Sequence, residues 1–285
     1  MKVLETHIVP AMDKEIRLQE YAPGIFYAIT TKSGIKKAIK REEILIDGKI
    51  AQTSDWVKEN QKIELLQQKV SPKKIFQLKL EVIFEDEYFA IVNKPSGYPT
   101  SGNYFKTIEN ALPFNLEKSN KQDALPYPLP VHRLDNPTSG LLAIAKTRAA
   151  QITLNSYFET KEIRKIYVAL VHGHTPETLS LTTNIDEKSA LTKLKTLRHF
   201  NFKDQEYSLV ELSPETGRTH QLRIHLASHN FPIVGEKQYA NNENDFKNKG
   251  LFLAAVGLKL NHPIHYKELT FSIDLPAKFK KAISF

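Results

Sequence analysis

Three short stretches carry the residue types that could do chemistry. The first is HRLDNPTSG, His132 to Gly140, where Asp135 follows an apolar run and precedes Asn136-Pro137. That order describes a chain leaving a strand and turning, which presents a carboxylate at a sheet edge. An ionised carboxylate so placed can serve as a nucleophile or a general base. The competing reading is an Asx-turn aspartate that only bonds nearby backbone amides. In the second stretch, KEIRKIYVALVHG, alternation puts Ile166, Val168 and Leu170 on one strand face and Tyr167 on the other, so the phenol can face a cleft instead of the core. A ring packed with its hydroxyl wet is the alternative. The third, SPETGRTHQLRIHLASHNFPIVG, predicts a turn ending at Gly217 and then a helix with Leu222 and Leu226 on one face and Thr219, Arg223 and Ala227 on another. An arginine in that position can pair with a neighbouring carboxylate and keep it ionised, or can simply snorkel from an amphipathic helix.

Other chemistries fail on residue type or spacing. The chain has no cysteine, which removes disulfides, thiolate metal sites and cysteine nucleophiles. His225 and His229 stand four apart, but no glutamate follows His225 in the zinc-protease pattern and the sequence offers no third ligand, so no metal is expected. The glycines of NKPSG, PTSG and SPETG are isolated, giving neither a phosphate loop nor a dinucleotide fingerprint. Ser139 lies outside any Gly-x-Ser-x-Gly elbow, which argues against a serine hydrolase. A glycosidase would need a second acid near Asp135, and the motifs supply none.

The surrounding elements predict two domains. Residues 1–67 read as a small module: a helical start around EIRLQEYA, a basic helix, and a hairpin in which Ile44 and Ile46 precede the tight-turn dipeptide Asp47-Gly48. QKIELLQ is expected to close its sheet. Residues 68–79, with Ser71-Pro72 and several lysines, are expected to form a linker. From residue 80 to 285 strand-like runs dominate, helices intervene at TRAAQITLNSYFE and THQLRIHLASH, and no strict strand-helix alternation appears. The expected fold class is therefore α+β, with a mixed, mostly antiparallel sheet.

The formal charge of +8 favours a polyanionic partner. Its placement points the same way, since Lys32, Lys36, Lys37, Lys40 and Arg41 fall within ten residues that contain no acid. A solvated helix face with no partner is the alternative. Neither a signal-peptide core nor a run of about 18 apolar residues occurs, so a cytoplasmic protein without a membrane partner is expected. A monomer is the default expectation.

Taken together, the motifs resemble the RluA-type family of RNA pseudouridine synthases. The matching pieces are VNKPSGYP (Val92 to Pro99), VHRLDNPTSGLLAIAK (Val131 to Lys146), RKIYVALVHG (Arg164 to Gly173), GRTHQLRIHLA (Gly217 to Ala227), then PIVGEKQY and LKLNHP. SGIKKAIKREEILIDGKI is similar to the small RNA-binding domain named after ribosomal protein S four, a likeness that implies an RNA-facing surface on the basic helix. Two positions depart from the family pattern: Glu236 stands where an aspartate is usual, and Ala254 where the pattern reads histidine between leucine and alanine.

The resemblance implies an isomerase that converts uridine to pseudouridine in RNA without cofactor or metal. It assigns the carboxylate chemistry to Asp135, by addition to ribose carbon 1 or by removal of a ribose proton, the two routes being left open. It implies that Arg223 pairs with Asp135 and that Tyr167 stacks on the target base and takes part in proton removal from carbon 5. A phenol of ordinary pKa near 10 needs a polarising partner for that second task. Arg133 is the matched candidate for filling the space left by a flipped nucleotide. His132, Thr138, Gly140, Arg218 and His220 are expected to support the site. The expected RNA is that of the large ribosomal subunit or its precursor. A transfer-RNA synthase and a noncatalytic RNA-binding or ribosome-assembly factor are the alternatives.

Overall fold

The computed structural model describes residues 3–66, 73–240, 246 and 249–284. The chain divides into two compact units, Met1–Pro72 and Lys73–Phe285.

The first unit contains β1 (Val3–Ile8), β2 (Ile16–Arg17), α1 (Leu18–Tyr21), α2 (Lys32–Lys40), β3 (Ile44–Ile46), β4 (Lys49–Ile50), β5 (Trp56–Val57) and β6 (Lys62–Leu66). The sheet order is β1-β6-β3-β4, with β2 and β5 paired separately. The β3–β4 hairpin turns at Asp47 and Gly48, both at positive φ, as an Asp-Gly turn of the mirror-image type requires. Thr31 caps α2 by accepting the Gly34 N–H, and Ile35, Ala38 and Ile39 drive one face of that helix into the core. The helix expected at EIRLQEYA is shorter than its pattern suggests, because Ile16 and Arg17 pair with Val57 and Trp56 before the chain coils.

The second unit runs β7 (Glu81–Glu85), β8 (Phe89–Lys94), α3 (Ile108–Asn115), β9 (Ala124–Pro130), β10 (Ser139–Thr147), α4 (Arg148–Glu159), β11 (Arg164–His172), β12 (Thr178–Leu181), β13 (Thr192–Phe202), β14 (Gln205–Pro214), α5 (Gln221–Ser228), β15 (Leu253–Asn261), β16 (Glu268–Ser272) and α6 (Ala277–Ile283). Eight strands form the path β12-β13-β14-β11-β15-β10-β8-β7, while β16 joins β15 and β9 joins β10. Only β10 and β15 pair in parallel among the described strands, so the sheet is mixed and mostly antiparallel, as expected. β9 carries three prolines and pairs with β10 alone, at a border where missing donors are tolerated.

The expected linker is only partly described. Residues 68–72 lie outside the described residues, whereas residues 73–79 pack on the second unit. Phe76 and Leu78 lie against its core, and Asn115 accepts the Leu80 N–H while donating to the Leu78 carbonyl. Apolar side chains at alternate positions gave this stretch a surface to bury, which its lysines and Ser71-Pro72 obscured.

Candidate active site

The parallel β10–β15 seam fixes where the Asp135 loop ends. Gly140 sits at φ 120° opposite Ala255, and a Cβ there would come within 2.1 Å of the Ala255 carbonyl oxygen. Only glycine permits that approach. The neighbouring pair is Ser139 with Ala254, one of the two departures from the family pattern. Ala254 is fully buried, and the hydroxyls of Ser139 and Thr138 are buried with no hydrogen-bond partner among the described residues.

The loop from Val131 to Thr138 is held almost entirely through its backbone. Thr100 Oγ1 accepts the Leu134 N–H and donates to the Leu134 carbonyl. The Thr138 N–H bonds to the Asp135 carbonyl, closing the turn, and the Gly97 N–H bonds to Asn136. Lys94, at the end of β8, is fully buried and donates its ammonium to the carbonyls of Pro95, Asn136 and Thr138. Burial pulls its pKa down to about 8, against the upward pull of the Asp135 charge. His132 stacks on Phe158 with centroids 4.5 Å apart, and its Nε2 accepts the Ala143 N–H. An acceptor nitrogen carries no proton, and burial first, with Lys165 adding to it, depresses the imidazole pKa to about 3. His132 is thus a neutral structural support.

The Asp135 side chain itself is 18% exposed and receives no hydrogen bond among the described residues. Two cationic or potentially cationic groups face it: Arg223 Nη1 stands 3.9 Å from Oδ2, and His220 Nε2 stands 3.8 Å from Oδ1. The expected Arg223–Asp135 pair therefore exists as a near approach and not as a bidentate clamp. The clamp goes to Glu236, whose oxygens accept from Arg223 Nε and Nη2 at 2.7 Å each. Glu236 occupies the Nε–Nη2 edge of the guanidinium, which leaves Nη1 as the atom nearest Asp135. Glu236 Oε1 also accepts the N–H groups of Lys237 and Gln238. Burial pushes the Glu236 pKa up, but the Arg223 and backbone bonds outweigh it and hold the acid below its ordinary value. Arg223 is raised in turn, first by its bonds to Glu236.

α5 starts later than expected. His220 adopts a left-handed backbone, φ 54°, so Thr219 belongs to the preceding turn and the helix begins at Gln221. The buried Gln221 amide fixes that turn. It accepts from Thr216 Oγ1 and the Arg218 N–H, and donates to the Leu191 carbonyl and Thr192. Arg218 is exposed beyond it and donates to the Ser189 carbonyl. His225, one of the two histidines weighed for metal, instead contacts Thr192 Oγ1 and the Thr183 carbonyl through its two ring nitrogens.

Tyr167 stands between two core clusters, just after a register shift between Ile166 and Tyr167 in the β11–β15 ladder. Such bulges re-aim side chains at functional edges. Its phenol pKa is raised, by burial first and the Asp135 charge second, so the neutral phenol is favoured over the phenolate. Asp135, Tyr167, Arg133, His220 and Arg223 all line one cavity of about 460 Å³, within the range of roughly 300–1,000 Å³ typical of small-molecule sites. A second cavity of about 600 Å³ shares Asp135, Arg133, His220 and Arg223 and extends to Ser101 and Lys237. Arg133 is exposed at both.

In the first unit, Lys32, Lys36, Lys37, Lys40 and Arg41 are all exposed on or beside α2. The stretch lacks acids in sequence but not in space, because Lys32 pairs with Glu20 and Arg41 approaches Glu43 at 4.0 Å. Lys36, Lys37 and Lys40 form no ion pair among the described residues.

Sequence reading missed Lys94, Thr100, Gln221 and Tyr239, and noted Glu236 only as a departure from the family pattern. Lys94 had a signal, since a lysine that ends the apolar run FAIVN before a proline is unusual for a solvated position.

Asp135, Arg223 and Tyr167 line one cavity beside a mixed sheet, and solved structures with this arrangement of strands place the chain in the pseudouridine synthase fold. The human RNA Pseudouridylate Synthase Domain Containing 1 structure superposes with a TM-score of 0.57 at 24% identity, over 72% of this chain and 86% of that one. The RNA pseudouridylate synthase family model matches residues 88–228. "Ribosomal large subunit pseudouridine synthase C" of Buchnera aphidicola is 35% identical over 71% of this chain and 69% of its own length. The protein so named in Rickettsia felis is 31% identical over 92% and 94%. This chain belongs to the RNA pseudouridylate synthase family, in its RluA-type branch, and is an isomerase that converts uridine to pseudouridine in RNA.

Proposed function

We propose that the enzyme acts on specific uridines of large-subunit ribosomal RNA or its precursor, with Asp135 as the reacting carboxylate. The observation that supports this reading most is the state of Asp135: its backbone is pinned on several sides while both carboxylate oxygens are left without a hydrogen bond among the described residues. A carboxylate that must approach a ribose needs that freedom, because each strong hydrogen bond to it would lower its nucleophilicity and basicity. In the reaction the bond between nitrogen 1 and ribose carbon 1 breaks and the uracil turns. Carbon 5 then bonds to the ribose, its proton leaves, and nitrogen 1 gains one.

Arg223 supplies a positive charge and N–H groups, and His220 a ring nitrogen, beside Asp135 without occupying it. Tyr167, held neutral by its burial and the Asp135 charge, stacks on the base. Its part in proton removal is separable by Tyr167→Phe, where cleavage with stalled product formation marks proton transfer and unchanged turnover marks stacking alone. Arg133 fills the space the nucleotide leaves, at a flipping cost of roughly a few kcal/mol. The first unit, whose α2 and following hairpin carry the sequence likeness to the domain named after ribosomal protein S four, supplies Lys36, Lys37 and Lys40 to the RNA backbone.

The ribosomal assignment takes its support from the names of the two relatives above. Pseudouridine-specific mapping of total RNA from cells with and without the gene tests it, with wild type or Asp135→Asn added back. A large-subunit site restored only by wild type is the expected result. A lost transfer-RNA site would move the substrate, and restoration by Asp135→Asn would remove the carboxylate assignment.

A further inference from the structure

The two groups that face Asp135 share a neighbour outside the catalytic set already named. The hydroxyl of Tyr239 lies 2.7 Å from His220 Nδ1, and its ring lies beneath the Arg223 guanidinium with the cation 5.2 Å from the centroid. His220 Nε2 then faces Asp135 Oδ1, and Arg223 Nη1 faces Oδ2. We infer that Tyr239 is a positioning residue for the isomerisation, setting the tautomer and tilt of His220 through its hydroxyl and the plane of Arg223 through its ring. The inference rests on the reading of Asp135 as the reacting carboxylate.

The chemistry follows from the atoms. A neutral imidazole has one donor and one acceptor nitrogen, and the partner of one decides the role of the other. When the Tyr239 hydroxyl donates to Nδ1, the proton resides on Nε2 and points at Asp135. Without that hydroxyl the tautomer is free, and an Nε2 lone pair can turn toward the carboxylate and repel it. The left-handed backbone of His220 removes the usual way of anchoring a residue before a helix, since its side chain makes no capping bond to α5. The ring is thereby available to Tyr239 and Asp135. Tyr239 follows Glu236 by three residues on the same segment, so the clamp on Arg223, the cation over the ring and the contact to His220 arrive together.

The test is single-turnover kinetics with saturating enzyme on the RNA identified by mapping, alongside RNA affinity and thermal stability. Tyr239→Phe keeps the ring and removes the hydroxyl. It is expected to slow the chemical step by roughly two- to twelvefold, the range for losing one positioning hydrogen bond, with affinity unchanged. His220→Asn tolerates the left-handed backbone and removes the imidazole. In that background Tyr239→Phe should have no further effect, a non-additivity that loss of packing would not produce. Equal slowing by Tyr239→Phe with and without His220, or no slowing at all, overturns the inference. Asp135→Asn in the same assay separates the layers: if it is inactive while Tyr239→Phe turns over normally, the inference falls and the carboxylate reading stands. If Asp135→Asn is active, that reading falls first.

Discussion

Two carboxylates face the same arginine and are held in opposite ways. Glu236 is fixed through its side chain, whose oxygens take two guanidinium and two backbone N–H bonds in a site where it is 1% exposed. Asp135 is fixed through its main chain, by Thr100 on Leu134, by Lys94 on the carbonyls of Asn136 and Thr138, and by its own turn to Thr138, while its carboxylate is left loose. The difference separates two tasks. A carboxylate that organises its neighbours gains from every bond it accepts, whereas one that must react loses by each of them. Glu236 also partly neutralises Arg223, so the guanidinium steers Asp135 without trapping it.

The largest test of this contrast substitutes each acid by its amide. Asp135→Asn removes the reacting group but few native bonds, so product formation should fall by at least about 10³-fold while stability changes by less than about 1 kcal/mol. Glu236→Gln leaves a buried guanidinium without its counter-charge, a loss of about 3–5 kcal/mol by analogy with other broken buried pairs. Arg223 should then turn to Asp135, and activity should fall by roughly ten- to a hundredfold with RNA affinity kept. Denaturant titration and single-turnover rates report both. An unchanged midpoint in Glu236→Gln would break the contrast.

Removing Lys94 attacks the main-chain side, and with it one positive charge that acts on Asp135. Lys94→Met keeps much of the volume but strands the carbonyls of Pro95, Asn136 and Thr138, for an expected cost of about 3 kcal/mol. At roughly 2–4 °C per kcal/mol for a chain of this size class, the melting temperature should fall by about 6–12 °C. The rate of the isomerisation should drop too, through a relaxed loop, with the glutamate clamp intact. Stability loss without any change in rate would show that the Asp135 loop does not need this support.

These residues also mark how much the sequence disclosed. The Asp47-Gly48 hairpin, the Arg148–Glu159 helix and the strand carrying Tyr167 were legible because each is encoded within a few neighbours by turn chemistry or period. Asp135, Tyr167, Arg133, His220 and Arg223 were named from motifs, and the fold brings all five to one cavity. The partner of Arg223 was not legible. Glu236 is thirteen residues away, and motif resemblance tied the arginine to Asp135 without saying which edge of the guanidinium faces which acid. Lys94 stayed hidden for a related reason, since the carbonyls that justify its burial lie more than forty residues on in sequence. A strand before the Asp135 turn was expected, but the extent of β9 was not, because its three prolines suit a strand only at a border.

A pH series addresses the other support of the loop. His132 is held neutral, with a folded pKa of about 3 against 6.5 for the free group. Between those values the unfolded chain binds a proton that the folded chain refuses, so the stability associated with this group is complete above pH 6.5 and is lost as pH falls toward 3. From pH 7 to pH 5 the loss attributable to His132 is roughly 2 kcal/mol, at 1.36 kcal/mol per unit. Unfolding free energies of wild type and His132→Gln should therefore converge on acidification, because the variant lacks the proton-linked term. Parallel curves would place the buried imidazole in a more polar setting than its Phe158 stack and Ala143 bond imply.

The smallest effect is the most specific to this chain. Glu236→Asp restores the residue usual in the family pattern and shortens the clamp by one methylene. An aspartate at this position can still accept the N–H two residues on, as Asx turns do, so the backbone half of the bonding should survive. The guanidinium half should lengthen, because Arg223 is anchored on α5 by its own buried stem and cannot follow freely. The expected cost is about 1 kcal/mol, with the rate altered by less than about threefold, since Asp135 never depended on a bond from Arg223. A tenfold loss would mean that the length of this acid sets the 3.9 Å approach of Nη1 to Asp135, so that Glu236 and Asp135 are adjusted to one another instead of being independently held.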